Sequence, residues 1–183
     1  YFASYRTTAS APLKCSYRGL TVLTAGAPSA GGAAICMTLG ILDGFDMKAL
    51  GFRTAAALHD ELEAERLSYV DAFTLIGDPS FVNVPFAAMV SPAHAAQMRA
   101  RIGPTAAPAD ALNPDIAARP TETHTTSYSV VDAAGNAVAV TYTLGDYFGS
   151  KVVPPGTGIL LATTLTNFHR GAGYPESIAP GKR

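Results

Sequence analysis

Residues 123–132 read THTTSYSVVD and run without a break into AAGNAVAVTYTL, residues 133–144. Side chains alternate through TTSYSVVD with a period of two, placing Thr126, Tyr128 and Val130 on one side, which is the pattern of a half-covered strand. Asp132-Ala-Ala-Gly135-Asn136 then supplies turn chemistry, with a glycine available for positive φ. AVAVTYTL, residues 137–144, alternates again. The spacing predicts a β-hairpin over residues 125–144.

What precedes the hairpin gives it a second meaning. Residues 103–120, GPTAAPADALNPDIAARP, are rich in proline and alanine and poor in apolar bulk. A connection of this length without structure of its own is uncommon in a compact domain and often functional. A threonine hydroxyl is a weak nucleophile until a base stands beside it. Cutting the chain just before the threonine supplies that base, because a free α-amine has a pKa near ~7.7–8.0 and is partly neutral at pH 7. Such a residue belongs at the head of a rigid strand, after a segment that can depart. Thr125 meets both conditions. A threonine-rich edge strand following a linker is the plainer reading of the same residues.

Upstream, residues 19–26, GLTVLTAG, read as a strand, and APSAGG as a turn. Gly31 to Gly44 is rich in Ala, Leu and Ile and predicts a buried helix. A longer helix is predicted from Thr54 to Leu75, with Leu58, Leu62, Tyr69 and Phe73 forming one apolar stripe. Its charges, Asp60, Glu61, Glu63, Glu65 and Arg66, fill much of the remaining surface. Ser91-Pro92 reads as an N-cap followed by proline at the first helical position, opening a helix to about Ile102. Downstream of the hairpin, residues 157–161 suggest a short strand or turn, and GAGYPESIAPGKR a loop. Helices and strands are segregated, which predicts layered α+β packing.

The bulk numbers narrow the partners. At 183 residues the chain fits one domain, or two by a prior of about 100–200 residues each. Apolar residues are 48% and charged residues 15%, a folding composition. With a net charge of −1 and no basic block, nothing points to nucleic acid. No apolar run approaches the ~18–20 residues of a membrane span. The opening YFASYRTT has no charged-then-apolar leader pattern. His59, His94, His124 and His169 lack metal-ligand spacing, so no metal and no cofactor is expected. Cys15 and Cys36 either pair or stand as buried thiols; the position of Cys36 inside an apolar helical stretch favours the thiols.

The hairpin also carries a family signature. Thr125-Thr126-x-Tyr128-Ser129-Val130-Val131-Asp132, Gly135-Asn136-Ala137-Val138, Thr141-x-Thr143 and Phe148-Gly149 together resemble the start of the small subunit of γ-glutamyltransferases. Those are self-cleaving N-terminal-nucleophile hydrolases. YRGLTVLTAGAPSAGG, ILDGFDMKALG and LHDELEAERLSYVDAFTLIGDPSFVNVP resemble the end of that family's large subunit. Residues 155–161, PGTGILL, and 179–183, APGKR, also fit, so the resemblance covers nearly the whole chain.

The resemblance implies an α+β fold of the layered αββα N-terminal-nucleophile hydrolase type, incomplete here. It implies a large-subunit-like region over residues 1–120, ending in a Pro/Ala-rich linker at 103–124, and the start of a small-subunit-like region over 125–183. Thr125 matches the nucleophile, and the bond between His124 and Thr125 the site of self-cleavage. Thr143 matches the hairpin threonine that hydrogen-bonds the nucleophile. Gly145, Thr164 and Asn167 match substrate-binding positions.

Three departures stand out. Ser127 replaces a usual His, Gly145 replaces Asn or similar, and ATTLTNF (162–168) replaces Asn-Asn-x-Met-Asp-Asp-Phe. Asn167 thus falls where an aspartate would grip a substrate ammonium. A charged hydrogen-bond partner contributes about 1.5–3 kcal/mol and a neutral one about 0.5–1.5. The implied substrate is a small γ-glutamyl amide or another acyl amide, the latter as in a cephalosporin- or glutaryl-type acylase; an inactive fragment or pseudoenzyme of the fold is the further alternative. Family members are several times longer, and their carboxylate-binding arginine and their Ser-Ser and Gly-Gly segments would lie outside residues 1–183. The remaining segments of the same enzyme are therefore expected partners, and the 183 residues alone are expected to turn over little. Family members are commonly exported, so the implied location is periplasmic or secreted.

Overall fold

The computed structural model describes residues 2–7, 9–108, 125–168 and 173–182. The chain divides into two units, residues 1–117 with 173–183, and residues 118–172.

The first unit is built around one apolar helix. Strands β1 (Leu13–Tyr17) and β2 (Leu20–Thr24) pair antiparallel, with Cys15 opposite Val22. Helix α1 (Gly31–Leu42) follows, then α2 (Met47–Leu50), α3 (Ala55–Leu75), α4 (Phe86–Met89) and α5 (Pro92–Arg99). A helix that is apolar around most of its circumference has to be enclosed. Ala33, Ala34 and Met37 of α1 pack with Ala72, Ile76 and Met89, while Ile41 and Leu42 pack with Ala64, Leu67 and Met98. The early end of α1 therefore meets the late end of α3, so the two helices run antiparallel. Ile41 and Ile76 are fully buried, each worth about 1.5–3 kcal/mol of transfer free energy.

The helix starts follow their caps. Thr54 Oγ1 accepts from Ala57 N at 3.2 Å, and Ser91 Oγ from His94 N at 3.2 Å, with Pro92 in the first turn. Each satisfies a helix-start N–H that would otherwise lack a partner. The last helix stops at Arg99, short of the predicted Ile102; Arg99 Nη1 donates to Ile41 O at 2.9 Å and so caps α1 instead.

Two expectations for this unit are corrected, and one strand lies beyond them. Strand β1 lies in LKCSY, upstream of the predicted strand. The two cysteines are joined: Cys15 on β1 and Cys36 on α1 form a disulfide with Cα atoms 5.8 Å apart. Leu13, Cys15 and Tyr17 alternate toward the interior, and that period-two placement brings the Cys15 sulfur to the helix. The cross-link closes a loop of sequence separation 21, worth ~3 kcal/mol by chain entropy. On α3 the predicted apolar stripe is not the buried face. Leu62 is 62% and Tyr69 52% exposed, while Ala57, Ala64, Leu67, Ser68 and Ala72 are buried. Small residues win because α1, with Gly and Ala through its first turn, packs against them closely.

Glu63, expected among surface charges, is buried and pairs with Arg66 at 2.8 Å. Arg66 Nη1 also donates to Ala107 O at 2.5 Å, and His59 Nε2 lies 2.7 Å from Gly103 O. These contacts hold residues 103–107 along α3. The rest of the predicted linker, residues 109–124, lies outside the described residues. Residues 173–182 belong to this unit, and Lys182 Nζ sits 5.8 Å over the Phe81 ring. No helix among the described residues is long and apolar enough to cross a membrane.

The second unit is the predicted hairpin and its continuation. Strands β3 (Thr125–Val131) and β4 (Ala137–Thr143) pair antiparallel, Thr125 opposite Thr143 and Val131 opposite Ala137. The Asp132 carboxylate closes the turn, accepting from Ala134 N, Asn136 N and Asn136 Nδ2 at 2.7–2.9 Å. Gly135 takes φ +83°, as the turn requires. Past β4 the chain doubles back: Ser150 N donates to Leu161 O and Leu161 N to Val152 O. Residues 155–157 form a turn and no strand forms over 157–161, so of the strand-or-turn expectation only the turn at Thr157 is seen. No apolar side chain of this unit is buried among the described residues.

Together the helices and the two hairpins make an incomplete α+β fold.

Candidate active site

The β3–β4 register gives the hairpin two chemically different faces. Opposed residues share a face. One face carries Thr126, Tyr128 and Val130 with Tyr142, Val140 and Val138; the other carries Thr125, Ser127 and Ser129 with Thr143, Thr141 and Ala139. Toward Thr125 the second face is lined by small hydroxyl residues, giving way to Ala139, Val131 and Ala137 near the turn, and Ser127 Oγ lies 3.3 Å from Thr141 Oγ1. Thr125 is exposed at the first position of β3, so its oxygen is not sealed in a packed interior.

The hydroxyl face has no acid or base of its own. Neither TTSYSVV nor AVAVTYT holds a Lys, His, Asp, Glu or Arg, and the two tyrosines sit on the opposite face. Asp132, at the far end of the hairpin, has its carboxyl held below the usual carboxylate range. The Asn136 side-chain amide is the main cause, followed by the Asn136 backbone N–H. A nucleophile at residue 125 therefore finds no proton acceptor on its own two strands unless its backbone nitrogen becomes one.

The end of β4 is tied to the segment after GILL. Thr143 Oγ1 accepts from Gly145 N at 2.9 Å. Leu144 O accepts from Thr163 N at 2.8 Å and from Thr163 Oγ1 at 3.1 Å. Thr163 O in turn accepts from Thr166 N and Thr166 Oγ1, both at 2.9 Å, within the 3-10 turn Thr164–Asn167. Gly145 has φ +88°, and a Cβ there would collide with Thr163 Oγ1.

The structure thus gathers the sequence-derived positions into one neighbourhood. Thr125 and Thr143 face each other, Gly145 bonds to Thr143, and Thr163 joins Leu144 to the turn holding Thr164 and Asn167. Thr164 and Asn167 are exposed. His124 lies outside the described residues. Sequence reading passed over Thr163, whose partners are 19 residues away; no local pattern announces that contact. A hollow of about 480 Å³, open to solvent and lined by residues 79–84 and Phe86, lies in the first unit and holds none of these residues.

Known proteins resemble this chain over nearly its whole length. The family model described as Gamma-glutamyltranspeptidase matches residues 2–183. The "Glutathione hydrolase proenzyme" of Pseudomonas sp. (strain A14) is 42% identical over 98% of this chain and 33% of its own length. The Escherichia coli (strain K12) protein of the same description is 40% identical over 99% of this chain and 33% of its own. The "Acylase ACY 1 proenzyme" of Pseudomonas sp. (strain V22) is 36% identical over 99% and 32%. Among solved structures, cephalosporin acylase from Bacillus halodurans superposes with a TM-score of 0.76 at 26% identity, covering 99% of this chain and 31% of that one. Helicobacter pylori gamma-glutamyltranspeptidase gives 0.57 at 30% identity over 63% and 34%. The chain spans about a third of the length of the curated relatives it matches, 33% of the first two. With its matching family model, near-complete alignment and shared fold, the chain belongs to the gamma-glutamyltranspeptidase family.

Proposed function

We propose that this chain is the junction region of a self-cleaving acyl-amide hydrolase or transferase in which Thr125 is the nucleophile. The observation that carries the proposal is the Thr125–Thr143 pairing on a hydroxyl face whose two strands hold no Lys, His, Asp, Glu or Arg. In the first step Thr125 Oγ1 attacks the carbonyl carbon of His124. The C–N bond breaks, the nitrogen takes up the proton, and an ester replaces the amide. Water hydrolyses that ester, leaving His124 with a carboxylate and Thr125 with a free amine. The amine then accepts the hydroxyl proton as Thr125 Oγ1 attacks an amide substrate. Water or an acceptor amine resolves the acyl-enzyme, and Thr143 holds the nucleophile by a hydrogen bond.

Two acyl donors fit the family. The glutathione hydrolase relatives support a γ-glutamyl amide as donor. Gly145 and Asn167, both uncharged, together with the acylase relatives, support an acyl group lacking an α-ammonium, such as glutaryl. Asn167→Asp raising activity on a γ-glutamyl anilide over a glutaryl anilide supports the first donor class; no change supports the second.

Relatives three times as long support a role for further segments in binding and in the oxyanion hole, where one donor is typically worth ~10²–10³ in rate. The Cys15–Cys36 disulfide supports an oxidising compartment, periplasmic or extracellular, since such bonds rarely persist in reducing ones.

The test is intact mass of the full polypeptide carrying this chain. Two fragments splitting between His124 and Thr125, with a single uncut chain for Thr125→Ala, are expected. An uncut parent refutes the proposal.

A further inference from the structure

We propose that Thr163 is a positioning residue for the Thr125–Thr143 pair; this rests on the function proposed above. A threonine hydroxyl has one proton and two acceptor sites and rotates to suit its surroundings. Engaging one acceptor site of Thr143 elsewhere limits how its hydroxyl turns and leaves its proton for Thr125. Gly145 N–H does this at 2.9 Å.

The N–H that performs this task belongs to a single rigid unit. Leu144 C=O and Gly145 N–H lie in one planar trans peptide and point in opposite directions. Fixing the oxygen fixes the direction of the N–H. Thr163 fixes the oxygen twice, with its backbone N–H at 2.8 Å and its Oγ1 at 3.1 Å. Glycine on the far side of this peptide, at φ +88°, would otherwise give the plane little resistance to rotation. A rotated plane would turn the Leu144 carbonyl toward Thr143, which would then spend its proton on that oxygen and lose it to Thr125.

The same Thr163 atom also sets residue 145. Its Oγ1 fills the volume that a Cβ on residue 145 would occupy. The pair is coupled: glycine at 145 admits the Thr163 hydroxyl, and the hydroxyl compensates for the freedom glycine brings. The chain of action is Thr163 to the 144–145 peptide, to the Thr143 hydroxyl, to Thr125. Thr163 itself touches no reacting atom.

The experiment follows the rate of fragment formation by intact mass in the full polypeptide, for the parent, Thr163→Val, Thr163→Ser and Gly145→Ala, with thermal melting recorded for each. Thr163→Val keeps shape and backbone but removes one of the two bonds to Leu144 O; cleavage slows about tenfold. Thr163→Ser restores the oxygen and returns the rate to within about threefold of the parent at a similar melting temperature. Gly145→Ala probes the same contact with Thr163 intact and slows cleavage at least as much as Thr163→Val. Serine rescue is the outcome a purely structural role would not produce. A parent that cleaves while Thr163→Val cleaves equally fast overturns the positioning role alone, as does Thr163→Ser being as slow as Thr163→Val. A folded parent that never cleaves overturns the proposed function, and this inference with it.

Discussion

The two units of this chain solve opposite problems. Around α1, strands and helices bury fourteen apolar side chains, and a disulfide ties β1 to the helix. In the β3–β4 hairpin, Tyr128, Val130, Val138 and Tyr142 are each more than half exposed, and among the described residues the two seven-residue strands pair with each other and with no third. An isolated two-stranded hairpin is marginal in water. The unit that carries stability holds none of the candidate chemistry. The unit that carries the candidate chemistry has no buried apolar side chain among its described residues. A nucleophile that must be exposed on both sides of a cleavage event is better placed on a surface than in a core, and its rigidity has to come from register and hydrogen bonds.

Perturbing the first unit breaks this contrast most strongly. Ile41→Ala empties a fully buried site and lowers stability by about 2–5 kcal/mol, read by denaturant unfolding. Removing the cross-link with Cys15→Ser and Cys36→Ala together costs ~3 kcal/mol, read the same way under non-reducing conditions. Arg66→Ala leaves the buried Glu63 without its partner and releases Ala107 O. The loss is about 1.5–3 kcal/mol, with faster proteolysis at residues 103–108.

In the second unit the expected effects are smaller. Tyr128→Ser changes the stability of the 183-residue chain by less than ~0.5 kcal/mol, as for other exposed positions. A much larger loss there would mean that the face is covered.

The Asp132 turn gives the smallest effect, and its sign is fixed. The folded-state carboxyl titrates below its ordinary value because Asn136 and neighbouring N–H groups favour the charged form. Its contribution is complete above the unfolded pKa, near ~3.9, and is lost as pH falls through the lower folded value. Protection of the Ala134 and Asn136 amides, taken against their intrinsic exchange rates at each pH, should fall as pH drops through the lowered Asp132 value, and Asp132→Ala should remove that change in protection.

Much of this was legible locally. Thr54 and Ser91-Pro92 announce helix starts because a cap acts within three residues. The hairpin is legible because alternation and Asp132-Gly135-Asn136 agree on one register. What stayed hidden depends on distant packing. LKCSY is five residues of mixed character and becomes a strand only by pairing with β2. Cys36 looked like a buried thiol until the strand period aimed Cys15 at it. On α3 the large apolar residues suggest one face, but close approach to a helix that begins Gly-Gly-Ala-Ala selects the small ones. Thr163 is visible only once the chain after β4 has folded back.

The central claim is that residue 125 comes to hold a free amine beside its own hydroxyl. Periodate cleaves that vicinal amino alcohol at an N-terminal threonine and leaves an internal threonine untouched, so the full polypeptide should be treated with periodate and weighed. The account predicts a fragment beginning at Thr125 that loses its amine and side chain to give a glyoxylyl end. A fragment set with no such mass change, or one uncut chain inert to periodate, would contradict it.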